Sequence, residues 1–243
     1  MKKNLLRHLL LALPLVALPL LRAAAPATPA PTEAVQRWAK YEPEFQAFAA
    51  ADRANPPVRE GILFAGSSIF RQWKTVGEQL APLPVLNRAF GGSQTPDQLA
   101  RFDQVVLPYA PRIIVYYCGS NDINAGRAPD AIAANFRSFV QRVHAALPGT
   151  RIFYASILRA PQKEERWNLV DEANRLIREF CAGDARLGFI DLNPAVFDAA
   201  GRPRLELYRD DRLHYLPPAY VEFARIIKPV LEQAWRELPA PVR

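Results

Sequence analysis

Residues 61–68 read Gly-Ile-Leu-Phe-Ala-Gly-Ser-Ser, an apolar run that stops abruptly at a glycine and two serines. A short apolar run bounded by turn-forming residues is typical of a strand that is buried on both faces. The stretch therefore predicts a buried strand with two hydroxyl groups, those of Ser67 and Ser68, at its carboxyl end. Ligands bind at the carboxyl ends of strands in open parallel sheets, so both hydroxyls are candidates for chemistry.

Similar apolar runs recur along the chain and predict five strands. They are Ile62–Ala65, Val85–Leu86, Ile113–Tyr117, Ile152–Ala155 and Phe189–Ile190. Apolar residues at helical spacing predict helices between and around these runs. The predicted helices are one or two within Glu33–Ala54, interrupted at Pro43, then Ala131–Leu147, Asn168–Cys181 and Pro218–Trp235, with a kink expected at Pro229. Alternating strands and helices predict a mostly parallel sheet covered by helices on both faces. The fold we expect is a three-layer α/β/α sandwich with a five-stranded parallel sheet, flavodoxin-like in strand order.

The amino terminus has the order of a signal peptide. Lys2, Lys3 and Arg7 precede an apolar stretch from Leu9 to Leu21, and small residues follow it. At about 13 residues the stretch is shorter than the ~20 that cross a bilayer as a helix, although an uncleaved anchor is the alternative. We expect a signal peptide over residues 1–25, a Pro/Ala linker over 26–32 and a single domain over 33–243. The protein would be exported, periplasmic or secreted, without stable membrane insertion after signal removal.

The charge and the cysteine spacing give no sign of a nucleic-acid-binding or metal-binding protein. The net charge of +7 falls to +3 without residues 1–25, and this charge gives no electrostatic footprint for nucleic acid. Cys118 and Cys181 have no metal-type spacing, and their positions favour two buried thiols over a disulfide. No residue pattern calls for a metal or an organic cofactor.

Polar residues follow four of the five strands. The four polar loops are Gly66-Ser67-Ser68, Phe90-Gly91-Gly92-Ser93, Gly119-Ser120-Asn121-Asp122 and Asp210-Asp211-Arg212-Leu213-His214. A serine is a weak nucleophile until a base takes its proton, and that base is usually a histidine held by a third group.

His214 is the histidine that fits this role, and Asp211 lies three residues before it, close enough to orient the ring. His8 would leave with the signal peptide, and His144 lies off the apolar stripe of its helix. A surface turn in which Asp211 and His214 cap the next helix is the alternative. The Gly-x-Ser-x-Gly motif of α/β-hydrolases is absent from both serine loops.

In type, order and spacing, the four loops resemble the conserved blocks of the SGNH (GDSL-like) hydrolase family. The resemblance covers the chain from about Gly61 to the last predicted helix and implies the SGNH hydrolase fold. It implies Ser68 as the nucleophile, His214 as the base and Asp211 as the group that orients His214. It also implies an oxyanion hole made by the N–H groups of Ser68 and Gly92 and the side-chain amide of Asn121.

Two positions depart from the family pattern. Ser67 stands where the GDSL motif has aspartate, and Ser93 stands where many members have aspartate. The departures leave Ser67 and Ser68 as alternative nucleophiles. We favour Ser68 because the motif places the nucleophile two residues after Gly66.

The remaining residues of the cleft are less specified. Arg71, Arg88, Arg159 and Trp167 are candidates for lining the substrate site, whereas Trp73 fits the core better. Lys163–Arg166 should border the cleft, and a charge run of this kind is usually the solvated start of a helix.

These residues predict a serine esterase or acylhydrolase. No long apolar insertion resembles a lipase lid, which favours small or polar acyl esters, including O-acetyl groups of carbohydrates. The partner would be a small-molecule acyl ester or an acetylated carbohydrate rather than a nucleic acid. The alternative is a catalytically silent carbohydrate- or ligand-binding module on the same fold, and the oligomeric state stays open.

Overall fold

Five short strands form the centre of the protein. The computed structural model describes residues 38–57 and 59–239, so the predicted signal peptide, the linker and the first residues of the predicted domain lie outside the described residues. The strands are β1 (Ile62–Gly66), β2 (Val85–Asn87), β3 (Ile113–Tyr117), β4 (Arg151–Ala155) and β5 (Leu187–Ile190). All neighbours pair in parallel in the order β2-β1-β3-β4-β5, which confirms the predicted flavodoxin-like sheet.

Helices cover both faces of this sheet. They are α1 (Glu42–Ala54), α2 (Ser68–Gln72), α3 (Val76–Gln79), α4 (Thr95–Ala100), α5 (Phe102–Val105), α6 (Ser120–Asn124), α7 (Pro129–Ala146), α8 (Trp167–Ala182), α9 (Asn193–Val196) and α10 (Pro217–Arg236). Short 3₁₀ turns lie at Leu107–Tyr109, Pro161–Arg166 and Leu205–Leu207. Pro43 lies in the first turn of α1, and α10 runs through Pro229 without a break.

Side chains of the central strands alternate between two separate cores. Phe64 of β1 packs with Phe70 of α2 and Phe223 of α10 on one face of the sheet. Leu63 of the same strand packs with Phe136 of α7 on the opposite face, together with residues of α1 and α8. Strands that are buried on both faces have continuous apolar sequences, and for this reason the apolar runs predicted the strands well.

The chain turns sharply where β1 ends. Gly66 has φ +140°, and a Cβ atom added there would lie 1.9 Å from the carbonyl oxygen of Tyr117 in β3. The next N–H, that of Ser67, donates to the same carbonyl at 2.9 Å. Only glycine fits this close approach, and it allows the chain to leave the sheet and begin α2 at Ser68.

The two cysteines are free and buried, as their sequence positions predicted. Burial raises the pKa of Cys181 to about 12 and that of Cys118 well above its ordinary range, so both behave as small apolar side chains. Among residues 38–57 and 59–239, no helix is both long and apolar enough to cross a membrane.

Candidate active site

A serine meets a histidine 146 residues further along the chain, together with an aspartate near that histidine, at the carboxyl edge of the sheet. Nε2 of His214 lies 2.9 Å from Oγ of Ser68, and Nδ1 of His214 lies 2.6 Å from Oδ2 of Asp211. Ser68 is half-buried, and the His214 side chain is 22% exposed. A carboxylate at Nδ1 favours the tautomer that carries its proton there, so Nε2 is left to accept the proton of Ser68.

The Asp211 carboxylate is fixed by the turn that carries His214. Its Oδ1 accepts the backbone N–H groups of Leu213 at 3.0 Å and of His214 at 2.9 Å. Arg212, between Asp211 and Leu213, has a left-handed φ of +53°. Burial raises the pKa of Asp211, but the hydrogen bonds from His214 and the backbone outweigh it and lower this pKa to about 2. The carboxylate is therefore charged at neutral pH and holds the imidazole in one orientation.

The neighbouring hydroxyl, that of Ser67, has a different partner. Ser67 is extended, whereas Ser68 is the first residue of α2, so the two side chains diverge. Ser67 is only 1% exposed, and its Oγ accepts a hydrogen bond from Nδ2 of Asn121 at 2.7 Å. Of the two hydroxyls, that of Ser68 is therefore the one in hydrogen-bond contact with the imidazole.

Three groups near the serine can donate hydrogen bonds. Nδ2 of Asn121 donates to the carbonyl oxygen of Ser93 at 2.9 Å as well as to Ser67, which fixes the orientation of the amide. Within the described part of the chain, the N–H groups of Ser68 and Gly92 donate no hydrogen bond. Gly92 is exposed and has φ +70°, a conformation that favours glycine.

The amino-terminal segment holds the glycine block (residues 90–93) in place. The Tyr41 hydroxyl donates to the carbonyl of Gly92 and to the carboxylate of Asp97, both at 3.0 Å. Asp97 also accepts the indole N–H of Trp38 at 2.8 Å. The sequence predicted helices in this segment but not these contacts, because nothing in a local pattern shows that Asp97 is buried beneath it.

Arg71, the first candidate for lining the site, lies beside the glycine block. Its side chain is 45% exposed and pairs with Glu44 of α1, whose other oxygen accepts the Gly91 N–H at 3.3 Å. The Arg71 side chain would also meet a Cβ atom placed on Gly91 at 3.1 Å. Of the four candidates, Arg71 is therefore the one in contact with a predicted oxyanion loop.

The other three candidates are engaged elsewhere. Arg88 is buried, pairs with Asp52 and donates to the Tyr109 hydroxyl at 2.9 Å. The Arg159 guanidinium binds both carboxylate oxygens of Asp171, at 2.6 and 2.7 Å. The indole N–H of Trp167 donates to the backbone carbonyl of the residue at 160, at 3.0 Å.

Trp73, Lys163 and His144 were also assigned environments from the sequence. Trp73 is 1% exposed within the core, as predicted. The interpretation of Lys163 as part of a solvated run is wrong, because Lys163 is 1% exposed and its Nζ donates to Ser120. Lys163 lies in a 3₁₀ turn, where helical periodicity does not predict burial. The burial of Lys163 depends instead on the path of the loop. His144 bonds the carbonyl of Thr150 at 3.0 Å, away from the triad.

The parallel sheet and the polar loops at its carboxyl edge define an ester hydrolase of the GDSL type. The sequence model of the GDSL-like lipase/acylhydrolase family matches residues 63–220. The chain belongs to this family, and it is an ester hydrolase. No group of three or more His, Cys, Asp or Glu side chains within residues 38–57 and 59–239 is arranged to hold a metal ion.

Solved structures share the fold at low sequence identity. A GDSL-like lipase from Bacteroides thetaiotaomicron has a TM-score of 0.62 and 19% identity, with 81% of this chain and 98% of that chain covered. A catalytic mutant of an acetylxylan esterase from Geobacillus stearothermophilus has a TM-score of 0.57 and 17% identity, covering 70% and 93%. A carbohydrate esterase family 3 protein from Talaromyces cellulolyticus has a TM-score of 0.58 and 19% identity, covering 75% and 100%. No curated protein matches the sequence.

Proposed function

We propose that the protein is a serine esterase that cleaves small or polar acyl esters with Ser68 as nucleophile, His214 as base and Asp211 as the orienting carboxylate. The observation that carries the proposal is the continuous contact from Ser68 Oγ to His214 Nε2, at 2.9 Å, and from His214 Nδ1 to Asp211, at 2.6 Å. A nucleophile, a base and an orienting group in hydrogen-bond sequence are the requirements for acyl transfer.

In the first half of the reaction, Oγ of Ser68 forms a bond to the ester carbonyl carbon while its proton moves to Nε2 of His214. The carbonyl π electrons become the lone pair of an oxyanion. When the intermediate collapses, the bond to the leaving oxygen breaks and that oxygen takes the proton from Nε2. An acyl group then remains on Ser68, and the alcohol is free.

In the second half, water replaces the alcohol. Nε2 of His214 takes a proton from water as the water oxygen attacks the acyl carbon, and a second oxyanion forms. Collapse breaks the bond to Oγ of Ser68, which takes the proton back from Nε2. The products are a carboxylic acid and the original triad, so no cofactor enters the balance.

The oxyanion would lie among the N–H groups of Ser68 and Gly92 and the amide of Asn121. The first two N–H groups lack an acceptor among the described residues, which suits them to a transient one. The Asn121 proton now directed at Ser67 would be drawn to the oxyanion, because hydrogen bonds to a charged oxygen are about twice as strong as those to a neutral one. The bond to Ser93 keeps the amide aimed during this exchange.

Fewer observations bear on the substrate of the reaction than on its chemistry. Ser68 is half-buried and the His214 side chain is 22% exposed, so both reach the surface of the described residues. Similar folds include proteins described as an acetylxylan esterase and a carbohydrate esterase. We therefore propose small or polar acyl esters, including O-acetyl groups of carbohydrates, as substrates.

The experiment that tests this function compares Ser68→Ala with Ser67→Ala. On p-nitrophenyl acetate and a panel of sugar acetates, we expect Ser68→Ala to lower kcat/KM by about 10⁴-fold or more. Ser67→Ala keeps the triad and should retain most activity. A serine-directed phosphonate should label Ser68, located by peptide mass spectrometry, in the wild type and in Ser67→Ala. Full activity in Ser68→Ala, or a wild type that neither hydrolyses nor becomes labelled, contradicts the proposal and favours a binding module.

A further inference from the structure

A lysine is buried directly behind the predicted oxyanion residues. Lys163 lies in the 3₁₀ turn between β4 and α8, and it is 1% exposed. Its Nζ donates to the backbone carbonyl of Ser120 at 3.1 Å and to the Ser120 hydroxyl at 2.5 Å. Within residues 38–57 and 59–239, no carboxylate lies within ion-pair distance of this ammonium. A buried charge without a counter-ion is costly, so this ammonium is a candidate for a function.

The residue that Lys163 binds is next to Asn121. Ser120 and Asn121 are the first two residues of α6, which has only five. At the other end of α6, the carbonyl groups of Ile123 and Asn124 accept hydrogen bonds from Arg166. One short segment, Pro161–Arg166, therefore binds both ends of the helix that carries the Asn121 amide.

The same segment also contacts the loop that carries the base. The backbone N–H of Gln162 donates to the carbonyl of Arg212 at 3.1 Å, and Arg212 lies between Asp211 and His214. Lys163 is thus next to a residue in contact with the histidine loop and is itself bonded to the residue before Asn121. This position allows it to fix the amide relative to the triad.

We propose that Lys163 is a positioning residue for the ester hydrolysis at Ser68: its buried ammonium holds Ser120, and through it the Asn121 amide, and provides a fixed positive charge behind the oxyanion. The inference rests on the proposed function. A charge in a dry protein interior acts on a developing oxyanion more strongly than it would in water. Because the charge is already in place, no reorganisation is needed when the oxyanion forms.

This role predicts an alkaline limb in the activity. Burial, assisted by the charge of Arg166 and opposed by that of Glu165, lowers the pKa of Lys163 to about 8. The neighbouring elements carry their own titratable or charged groups, which are Tyr117 at the end of β3, Asp122 on α6 and Asp211, Arg212 and His214 on the histidine loop. A neutral lysine amine can still donate a hydrogen bond, so what is lost above pH 8 is mainly the charge.

The test is a set of pH profiles of kcat and KM on p-nitrophenyl acetate, corrected for spontaneous hydrolysis. We expect Lys163→Met to lower kcat at pH 7 about 10-fold to 100-fold, less than or equal to the loss of a direct oxyanion donor, with KM within about twofold. It should also lose the alkaline limb near pH 8. Lys163→Arg, which keeps a charge, should retain more activity and move the limb to higher pH. Lys228→Met is the matched control, because Lys228 is half-buried on α10 and bonds the carbonyl of Ala81.

The outcomes separate the two proposals. If the wild type hydrolyses the ester and Lys163→Met keeps the wild-type kcat and the same alkaline limb, the role of Lys163 is wrong while the esterase stands. If the wild type does not hydrolyse it, or Ser68→Ala still does, both proposals fall. Circular dichroism checks the fold of each variant. Should Lys163→Met not fold, Lys163→Gln and the wild-type profile decide, and a wild-type kcat that does not fall between pH 7.5 and 9.5 overturns the inference.

Discussion

At the scale of single residues, the two adjacent serines show how a one-residue step separates two roles. Ser67 has an extended backbone directly after β1 and is in contact with Asn121, whereas Ser68 begins a helix and is in contact with His214. A carboxylate at position 67 would hold the Asn121 proton more tightly than a neutral hydroxyl does. Serine there leaves that proton easier to release to the oxyanion.

The residue-scale prediction concerns Asp211. Asp211→Asn replaces an acceptor by an amide that can donate to Nδ1, so the ring would carry its proton on Nε2 and could not accept the proton of Ser68. We expect kcat/KM to fall about 10²-fold to 10⁴-fold, measured at pH 7 with a soluble acetate ester. Asp210→Asn, one residue away and exposed, is the matched control and should keep wild-type activity. An Asp211→Asn variant within fivefold of the wild type would refute the orienting role.

At the scale of elements, the strands and long helices were predictable because each repeats a local pattern. The predicted strand Ile62–Ala65 is Ile62–Gly66 in the structure, and the predicted helix Ala131–Leu147 is Pro129–Ala146. The short helices α2, α3 and α5 have four or five residues, too few for a periodicity to appear.

Contacts between loops were not predictable from local patterns. The burial of Lys163 and the bond from Tyr41 to Gly92 depend on how distant loops pass one another. Arg88 illustrates the same limit, since its partner Asp52 lies on α1, a helix whose sequence pattern gives no hint of that pairing.

The element-scale prediction concerns the end of β1. Gly66→Ala places a Cβ atom 1.9 Å from a backbone oxygen of β3 at a φ of +140°, so one strand must shift. We expect the free energy of unfolding to fall by about 2–4 kcal/mol, together with a loss of esterase activity, measured by urea titration and ester hydrolysis. Gly77→Ala is the control, because no atom lies within 4 Å of the added Cβ and Gly77 lies in α3, where alanine is the better helix former. Equal stability of the two variants would show that the strand end tolerates a side chain.

At the scale of the whole molecule, strand order explains how remote sequence blocks form one site. Because β1 lies between β2 and β3, the loops after these three strands are neighbours, and they carry Ser68, Gly92 and Asn121. The base comes from 146 residues beyond the serine, on the loop before α10. The alternation of elements implies parallel strands, but the distance between Ser68 and His214 is a property of the folded chain alone.

The last prediction uses Lys163 to link the stability of the whole molecule to pH. Folding lowers the pKa of this lysine from 10.5 to about 8, so between these pH values the unfolded chain binds more protons than the folded protein. The contribution of Lys163 to the free energy of unfolding is therefore smallest below pH 8 and rises until about pH 10.5, by an amount on the order of 3 kcal/mol. The stability of the wild type relative to Lys163→Met should therefore increase across this range, as followed by chemical denaturation at pH 7, 8.5 and 10. The difference in stability between the wild type and the control Lys228→Met should stay constant. The same titration should lower kcat, so a wild type that becomes more stable as it becomes less active would tie both effects to the Lys163 ammonium. A constant difference in stability between the wild type and Lys163→Met would show that the lysine is not buried in its charged form.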